Sequence, residues 1–154
     1  GYSSAASDVY KRQTPDRAYF GQKDAQQLAV IRHMVNDLSF GIEIVGCPII
    51  REEDGLAKSS RNTYLSEDER KAALVLSRSL KEGRKLVEDG EKDAAKVKKT
   101  ITDIIEKEAL AKIDYVEVVD WNTLEPVEKI DGPVLTAIAV YIGKTRLIDN
   151  FIVE

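Results

Sequence analysis

The sequence predicts an α/β fold in which a parallel βαβ unit precedes a small α+β domain with two helices and a three-stranded antiparallel sheet. Three observations lead to this prediction. Apolar residues at helical spacing lie between two strand-like runs within residues 16–50. Two more helical patterns fill residues 66–108. Three runs with β-type patterning follow in residues 115–153, and turn residues separate them.

The first unit opens with a short strand-like run at residues 16–20, which ends at Gly21. A helix is predicted from Asp24 to Gly41, and its apolar positions are Leu28, Ile31, Val35 and Leu38. Residues 42–50 form an apolar run rich in β-branched residues, which is typical of a strand buried on both faces. Strand, helix and strand in this order form a parallel crossover, and such sheets bind ligands at the carboxyl ends of their strands.

A doubly wound sheet normally has about five or six strands, so we expect the chain to hold only part of the complete domain. Residues 1–13 have neither the apolar stretch of a signal peptide nor a helical period. We interpret them as a non-native leader. Residues 14–62 are assigned to the first domain and residues 63–154 to the second.

The second domain begins with a capping-box pattern, in which the Ser66 hydroxyl and the Glu69 carboxylate bind each other's backbone amides. The helix that follows is predicted to end at Gly90, and its apolar stripe consists of Ala73, Leu76, Leu80 and Val87. A second amphipathic helix continues with Ala94, Val97, Ile101 and Ile104. Three antiparallel strands are predicted at residues 115–119, 134–142 and 146–153.

Composition and charge exclude several classes of protein. The chain has 154 residues, of which 43% are hydrophobic, and this is enough for a buried core. The net charge of -4 argues against binding to nucleic acid, which needs clustered cations. The single cysteine excludes an internal disulfide framework, and no apolar run approaches the roughly 20 residues of a membrane-spanning helix. We therefore expect a cytoplasmic protein that binds neither nucleic acid nor membrane.

Four polar or small residues lie where the first strand meets the helix: Gly21, Gln22, Lys23 and Asp24. Lys23 would add a full charge to the amides and dipole of a helix N-terminus, which attract phosphate. The alternative is an ordinary surface lysine. Asp24 is the natural N-cap, and capping alone would explain it. Gln27, one turn later, could bind a polar substrate or could simply be solvated.

A second polar segment follows the second strand. Ser59 and Ser60 offer hydroxyls and amides, Arg61 offers a planar fork that binds phosphate oxygens in pairs, and Lys58 adds a second cation. Gly55 allows this loop to move or to approach a ligand. On its own the segment could equally be a surface loop. Two phosphate-suited clusters at the ends of neighbouring parallel strands are less expected by chance, so together they predict half of a nucleotide site.

Other sites are not supported. His33 is the only histidine and has no neighbours at metal-ligand spacing, so neither a histidine-centred metal site nor a Ser-His-Asp triad is expected. Cys47 lies in the apolar strand and is interpreted as a core thiol. The sequence has no Walker A loop and no GxGxxG fingerprint. No metal ligands are assigned.

The chain resembles the pantothenate synthetase (pantoate–β-alanine ligase) family from Pro15 to the C-terminus. Three segments carry the resemblance: Phe-Gly-x-Lys-Asp-x-Gln-Gln at residues 20–27, Arg-Glu-x-Asp-Gly-Leu-Ala-x-Ser-Ser-Arg-Asn at residues 51–62, and Arg-Leu-Ile-Asp-Asn at residues 146–150. The resemblance implies a Rossmann-like nucleotidyl-transferase fold, shared with class I tRNA synthetases. Residues 14–62 would then be the C-terminal part of the ATP-binding domain with a KMSKS-like loop, and residues 63–154 a lid domain.

The family ligates pantoate and β-alanine through a pantoyl adenylate, with ATP as substrate and Mg²⁺ as cofactor, and is typically a homodimer. By resemblance, Gln27 binds pantoate. The implied ATP site consists of Gly21, Gln22, Lys23, Asp24, Ile50, Lys58, Ser59, Ser60 and Arg61. The implied catalytic residues among them are Lys23, Ser59, Ser60 and Arg61.

The chain also departs from the family pattern. The upstream half with its His-x-Gly-His motif does not occur in this sequence, so we expect the chain alone to bind ATP weakly and to turn over little or nothing. Lys58 stands where the family more often has an apolar residue. Two alternatives remain open: another adenylate-forming ligase or nucleotidyl transferase of the same fold, and a non-catalytic interaction module.

Overall fold

A computed structural model describes residues 12–154 of the chain. Residues 1–11, which make up most of the predicted leader, lie outside the described residues. The chain forms two compact units, one ending at Ile49 and the other running from Ile50 to Glu154. The loop that follows Ile49 therefore groups with the second unit, whereas the sequence placed it with the first. The functional boundary after residue 62 stays a prediction.

The first unit is a βαβ crossover. Strand β1 (Arg17–Gly21) and strand β2 (Glu43–Cys47) pair in parallel, and helix α1 (Ala25–Asp37) connects them. Leu28, which is 1% exposed, lies on the buried face of α1 and packs closely against Gly46 of β2. The predicted parallel unit is therefore confirmed, and the carboxyl ends of both strands lie side by side.

The ends of these elements differ from the sequence expectation. Helix α1 ends at Asp37 with Leu38 as its C-cap, before Gly41, because Ser39 takes the left-handed conformation (φ 50°) that stops the helix. Strand β2 ends at Cys47 instead of near residue 50. Its residues are half-buried or exposed, not buried on both faces as expected. Helix α1 contacts both strands but supplies only part of the cover that burial on both faces requires.

The second unit combines helices with an antiparallel sheet. A short 3-10 helix (Ser60–Tyr64) leads into α2 (Glu67–Ala72), α3 (Leu74–Glu88) and α4 (Ala94–Ile105). The sheet has the order β3-β4-β5 and consists of β3 (Ala111–Asp120), β4 (Val134–Ile142) and β5 (Thr145–Val153). All neighbouring strands are antiparallel, as predicted.

The helices begin and end for local reasons. The capping box is present, because the Glu69 amide donates to Ser66 Oγ (3.3 Å) and the Ser66 amide donates to Glu69 Oε2 (2.8 Å). The helix that was predicted to begin at the capping box of Ser66 is interrupted at Ala73, so it forms two helices, α2 and α3. Gly90 takes a positive φ of 96° just after α3, as its predicted end requires.

The core lies between α3, α4 and one face of the sheet. Fully buried residues of this core are Ala73, Val75, Leu76, Val97, Ile101, Ile105, Ile138, Val140 and Ile142. Gly83 lets α3 approach α4 closely, since a Cβ there would lie 2.6 Å from Ile101 Cδ1. Among residues 12–154, none of the helices has the length and hydrophobicity that crossing a bilayer requires.

Candidate functional site

The first polar cluster lies at the carboxyl end of β1. Gly21 is the last residue of the strand, and the Gln22 amide donates to the Cys47 carbonyl (2.8 Å), so the parallel pairing continues one residue further. Lys23 is half-buried at the turn. Asp24 is the N-cap of α1, because its carboxylate accepts from the Gln27 amide (3.1 Å). The cap therefore occupies one of the first-turn amides of α1.

The side chain of Gln27 lies on the exposed face of the first turn of α1. Its backbone serves the cap, which leaves the side-chain amide available to a ligand. His33 is exposed on the same helix, as expected of a solvated residue. Cys47 is half-buried instead of fully enclosed in the core, since it ends β2.

The second polar cluster follows a small hairpin, residues 50–58. The Lys58 amide donates to the Ile50 carbonyl (2.9 Å), and the Glu52 amide donates to the Leu56 carbonyl (2.8 Å). Gly55 sits at the turn with φ 95°, a conformation that favours glycine. The segment that looked mobile in the sequence is therefore held by a hydrogen-bonded hairpin.

Residues 58–61, hereafter the Ser/Arg loop, continue directly from the hairpin. Ser59 caps the 3-10 helix, and its hydroxyl accepts from the Arg61 amide (3.2 Å). The Ser60 carbonyl accepts from the Thr63 hydroxyl (2.7 Å). Lys58 Nζ lies 3.8 Å from Glu52 Oε2, so the negative charge of a loosely paired carboxylate partly offsets the charge of this lysine. Within residues 12–154 the exposed Arg61 guanidinium makes no ion pair, which leaves its donor fork available.

An ion pair with a buried carboxylate joins the hairpin to the sheet. The two terminal nitrogens of Arg51 donate to the two carboxylate oxygens of Asp149 at 2.7 and 3.0 Å, and the guanidinium also donates to the Gly55 carbonyl (3.1 Å). The Asp149 side chain is only 1% exposed, whereas that of Arg51 is 33% exposed. We call Arg51 and Asp149 the loop anchor.

The loop anchor escaped the sequence analysis because its members are 98 residues apart. One signal was available. Asp149 faces Ile138 of β4 in the antiparallel register, and Ile138 is completely buried. A carboxylate at a core-facing position of an apolar strand requires a partner, since a buried unpaired charge is strongly unfavourable.

A second, more exposed pair supports the other side of the hairpin. Arg70 in α2 donates to the Asp54 carboxylate at 2.9 Å, and Asp54 Oδ1 also accepts from the Leu56 amide (3.3 Å). The hydrogen bond from Arg70 is the main cause that lowers the pKa of the Asp54 carboxyl below its ordinary value. Asn62 completes the support, because its side-chain amide donates to the Ala57 carbonyl (3.1 Å).

The pH dependence of this support follows from the sign of the shift. The folded pKa of Asp54 lies below its ordinary value of 3.8, so its contribution to stability is full above about pH 4 and is lost as pH falls through the lowered pKa. We expect the Leu56 amide resonance in an NMR titration to report a midpoint below 3.8. Asp54→Asn should abolish the transition, and Glu53→Gln should leave it in place. A midpoint at or above 3.8 would contradict the pairing with Arg70.

Comparison with known proteins identifies the family of the chain. A family model described as Pantoate-beta-alanine ligase matches residues 6–152. The chain belongs to the pantoate-β-alanine ligase family. The match begins within the segment that we interpret as a leader and includes both polar clusters, the loop anchor and all but the last residue of the sheet of the second unit.

Individual members of the ligase family are closely similar in sequence. Pantothenate synthetase from Clostridium novyi (strain NT) is 62% identical over 152 residues, which cover 99% of this chain and 54% of the relative. Pantothenate synthetase from Caldicellulosiruptor saccharolyticus is 57% identical over 154 residues, covering 100% of this chain and 55% of the relative. The chain thus spans about half the length of the curated relatives it matches.

Solved structures of family members share the fold. The crystal structure of pantothenate synthetase from Thermus thermophilus aligns with a TM-score of 0.90 at 39% identity, over 97% of this chain and 54% of that one. Pantoate-beta-alanine ligase from Francisella tularensis, complexed with beta-gamma ATP and beta-alanine, aligns with a TM-score of 0.61 at 25% identity, over 96% of this chain and 48% of that one. The expected architecture of the family is therefore confirmed.

The predicted site residues form two groups, each within one unit. Gly21, Gln22, Lys23, Asp24 and Gln27 lie together at the β1–α1 junction. Ile50, which is 69% exposed, and the Ser/Arg loop lie together at the hairpin of the second unit. Their roles toward ATP and pantoate stay predictions.

Proposed function

We propose that this chain supplies phosphate-binding groups for an ATP-dependent ligation of pantoate and β-alanine. The observation that carries the proposal is the Ser/Arg loop. Its backbone is fixed by the Ser59 cap, while the Arg61 guanidinium is exposed and makes no ion pair within residues 12–154. A rigid backbone with an available planar fork is suited to binding phosphate oxygens.

The proposed reaction has two steps. A pantoate carboxylate oxygen attacks the α-phosphorus of ATP, a new O–P bond forms, and the bond from the α-phosphorus to the bridging oxygen breaks, so that pyrophosphate leaves with the electron pair. The deprotonated amine of β-alanine then attacks the acyl carbon and a C–N bond forms. The bond from the acyl carbon to the phosphate oxygen breaks, AMP leaves with that electron pair, and the nitrogen releases one proton to water to give the amide. Negative charge grows on the phosphate oxygens in the first step. Cations aimed at those oxygens stabilise the transition state more than the ground state.

The roles of individual residues follow from this chemistry. Lys23 and the first-turn amides of α1 would bind phosphate in the first unit. In the second unit, Ser59, Ser60 and Arg61 would bind phosphate through hydroxyl, amide and guanidinium donors. Gln27 would bind pantoate through hydrogen bonds from its exposed side-chain amide. Lys58 would contribute less than Arg61, because Glu52 already shares its charge.

Mg²⁺, homodimer formation and a cytoplasmic location belong to the same proposal. Among the described residues, no three His, Cys, Asp or Glu side chains are grouped so that they could bind a metal ion. Mg²⁺ in nucleotide enzymes is held largely by substrate phosphates and water, so the ion would enter with ATP. When bound, it would neutralise phosphate charge.

The test is an AMP-release assay that depends on ATP, pantoate and β-alanine. It compares the chain as given with the same chain joined to the upstream half of the Clostridium novyi relative, which should supply the His-x-Gly-His motif expected of the family. We expect no turnover from the first protein and clear turnover from the second. Silence of both proteins, with folding verified by circular dichroism, would contradict the proposal.

Two further arms of the same assay separate the alternatives. Gln27→Ala should raise the KM for pantoate while leaving that for β-alanine unchanged; no effect on either would favour another adenylate-forming ligase with a different acid. ATP should protect the Ser/Arg loop from hydrogen exchange in the joined protein. A hydrogen-exchange rate of the Ser/Arg loop that does not change when ATP is added would favour a non-catalytic interaction module.

A further inference from the structure

The loop anchor combines a buried carboxylate with a partner at the base of the hairpin. Both oxygens of Asp149 are occupied, since they accept from Arg51 at 2.7 and 3.0 Å and Oδ1 also accepts from the Asn150 amide at 2.8 Å. Two parallel hydrogen bonds from a planar guanidinium restrict the orientation of the arginine side chain as well as its distance from the carboxylate. The carboxylate therefore fixes the orientation of Arg51 relative to β5.

Arg51 passes this constraint to the hairpin. Its guanidinium also binds the Gly55 carbonyl at the turn (3.1 Å), and its backbone forms an antiparallel bridge with Ala57. Ala57 directly precedes Lys58, and the Lys58 amide is tied to the Ile50 carbonyl (2.9 Å). A shift of Arg51 would thus be transmitted through two backbone contacts to the start of the Ser/Arg loop.

An ion pair whose carboxylate is buried is poorly explained by stability alone. Apolar residues of similar volume often stabilise a fold as well as such a pair, because the cost of removing charge from water offsets the attraction between the partners. What the ion pair supplies is a fixed orientation of the Arg51 side chain relative to β5. The Asp149 side chain is 1% exposed in an otherwise apolar strand face, and its fork-shaped contact is with the hairpin that carries the Ser/Arg loop.

We propose that Arg51 and Asp149 are positioning residues for the adenylation step, holding the Ser/Arg loop where its donors meet the phosphates of ATP. This inference rests on the proposed function and adds residues that contact no substrate themselves. Misplacement of a binding group by about 1 Å can lower a rate about 10²-fold. Loss of the anchor should therefore act on the step in which pyrophosphate leaves.

The chain offers a matched control. Arg146 and Asp114 form an ion pair of the same chemistry between β5 and β3, with an Nε to Oδ2 distance of 2.9 Å. Both side chains of this pair are more than one-third exposed, at 37% and 38%. Within residues 12–154, their ion pair is with each other, and neither forms an ion pair with the hairpin. Asp114→Asn thus removes a charged pair from the same sheet without touching the loop.

The experiment measures the two half-reactions separately in the joined, full-length protein. Pantoate-dependent ATP–pyrophosphate exchange reports adenylation, and β-alanine attack on synthetic pantoyl adenylate reports the second step. We expect Asp149→Asn and Arg51→Lys to lower the exchange rate about 10–10²-fold and to change the second step less than about threefold. Asp114→Asn should leave both steps near wild type. Equal losses in both steps, or equal effects of Asp149→Asn and Asp114→Asn, would overturn the inference.

Hydrogen exchange on the chain as given tests the anchor independently of activity. Asp149→Asn should accelerate exchange of the Glu52 and Lys58 amides, which close the hairpin, and leave amides between β3 and β4 unchanged. Unchanged hairpin exchange would overturn the inference even if activity falls. If the proposed function is wrong, the result is different, because the wild-type joined protein would then show no activity in either half-reaction. If the hairpin of the Asp149→Asn variant still exchanged faster in that case, the anchor would have a structural role only, and the inference that it positions the loop for catalysis would be overturned.

Discussion

Replacing Arg61 with alanine in the joined, full-length protein is expected to lower kcat for AMP release about 10²–10³-fold, comparable to the loss of one oxyanion-binding donor. The exposed guanidinium makes no ion pair within residues 12–154, so its removal leaves no internal partner unsatisfied. The effect should therefore fall on the reaction and not on folding. Lys23→Ala is expected to cause a loss of the same order, measured in the same assay.

Two variants make this expectation specific. Arg84→Ala removes an exposed cation that pairs with Glu88 on α3, and it should leave kcat unchanged. Lys58→Ala should have a smaller effect than Arg61→Ala, because Glu52 lies 3.8 Å from its ammonium group. If Arg61→Ala raises the KM for ATP but leaves kcat intact, the side chain binds substrate and transition state equally. That outcome would rule out selective stabilisation of the transition state.

Arg51→Met is expected to lower the free energy of unfolding of the second unit by about 3–5 kcal/mol, because it leaves the buried carboxylate of Asp149 without its partner. The double variant Arg51→Met/Asp149→Leu should be close to wild type, since it removes both charges. The measurement is urea unfolding of the chain as given, followed by circular dichroism, with the four proteins of a double-mutant cycle. A large favourable coupling between the two residues is expected.

The surface pair provides the comparison. Arg146→Met leaves Asp114 38% exposed to water, so the loss should be within about 1 kcal/mol. If Arg51→Met is no more destabilising than Arg146→Met, the buried Asp149 carboxylate does not depend on its ion pair with Arg51 for its stability in the folded chain. The hairpin would then need another explanation for its orientation.

The structural elements that depend on interactions between near neighbours in the chain could be predicted from the sequence. The capping role of Asp24, the capping box of Ser66 with Glu69, and the three antiparallel strands are all present. Each rests on hydrogen bonds within a few residues or on a period of apolar side chains. Such signals can be recognised in the amino-acid sequence, because the interacting residues are close neighbours along the chain.

Several element boundaries were wrong for reasons that are also physical. The first helix ends at Asp37 and not at Gly41, because Ser39 adopts a left-handed conformation that composition does not forecast. The helix predicted from residue 66 breaks at Ala73, although its apolar stripe continues across the break. The periodicity of a stripe reports which face is buried and is insensitive to a local change in backbone hydrogen bonding.

The fold class, the family and the chemical character of the two polar clusters could all be deduced from residue type and spacing along the chain. The contact that holds the hairpin before the Ser/Arg loop became evident only in the folded chain, because Asp149 is 98 positions away from Arg51. The tertiary structure also decided that Lys58 has a loose acidic partner whereas Arg61 makes no ion pair within residues 12–154. The physical reason is that ion pairs depend on distance in space, which folding sets and spacing along the chain does not reveal.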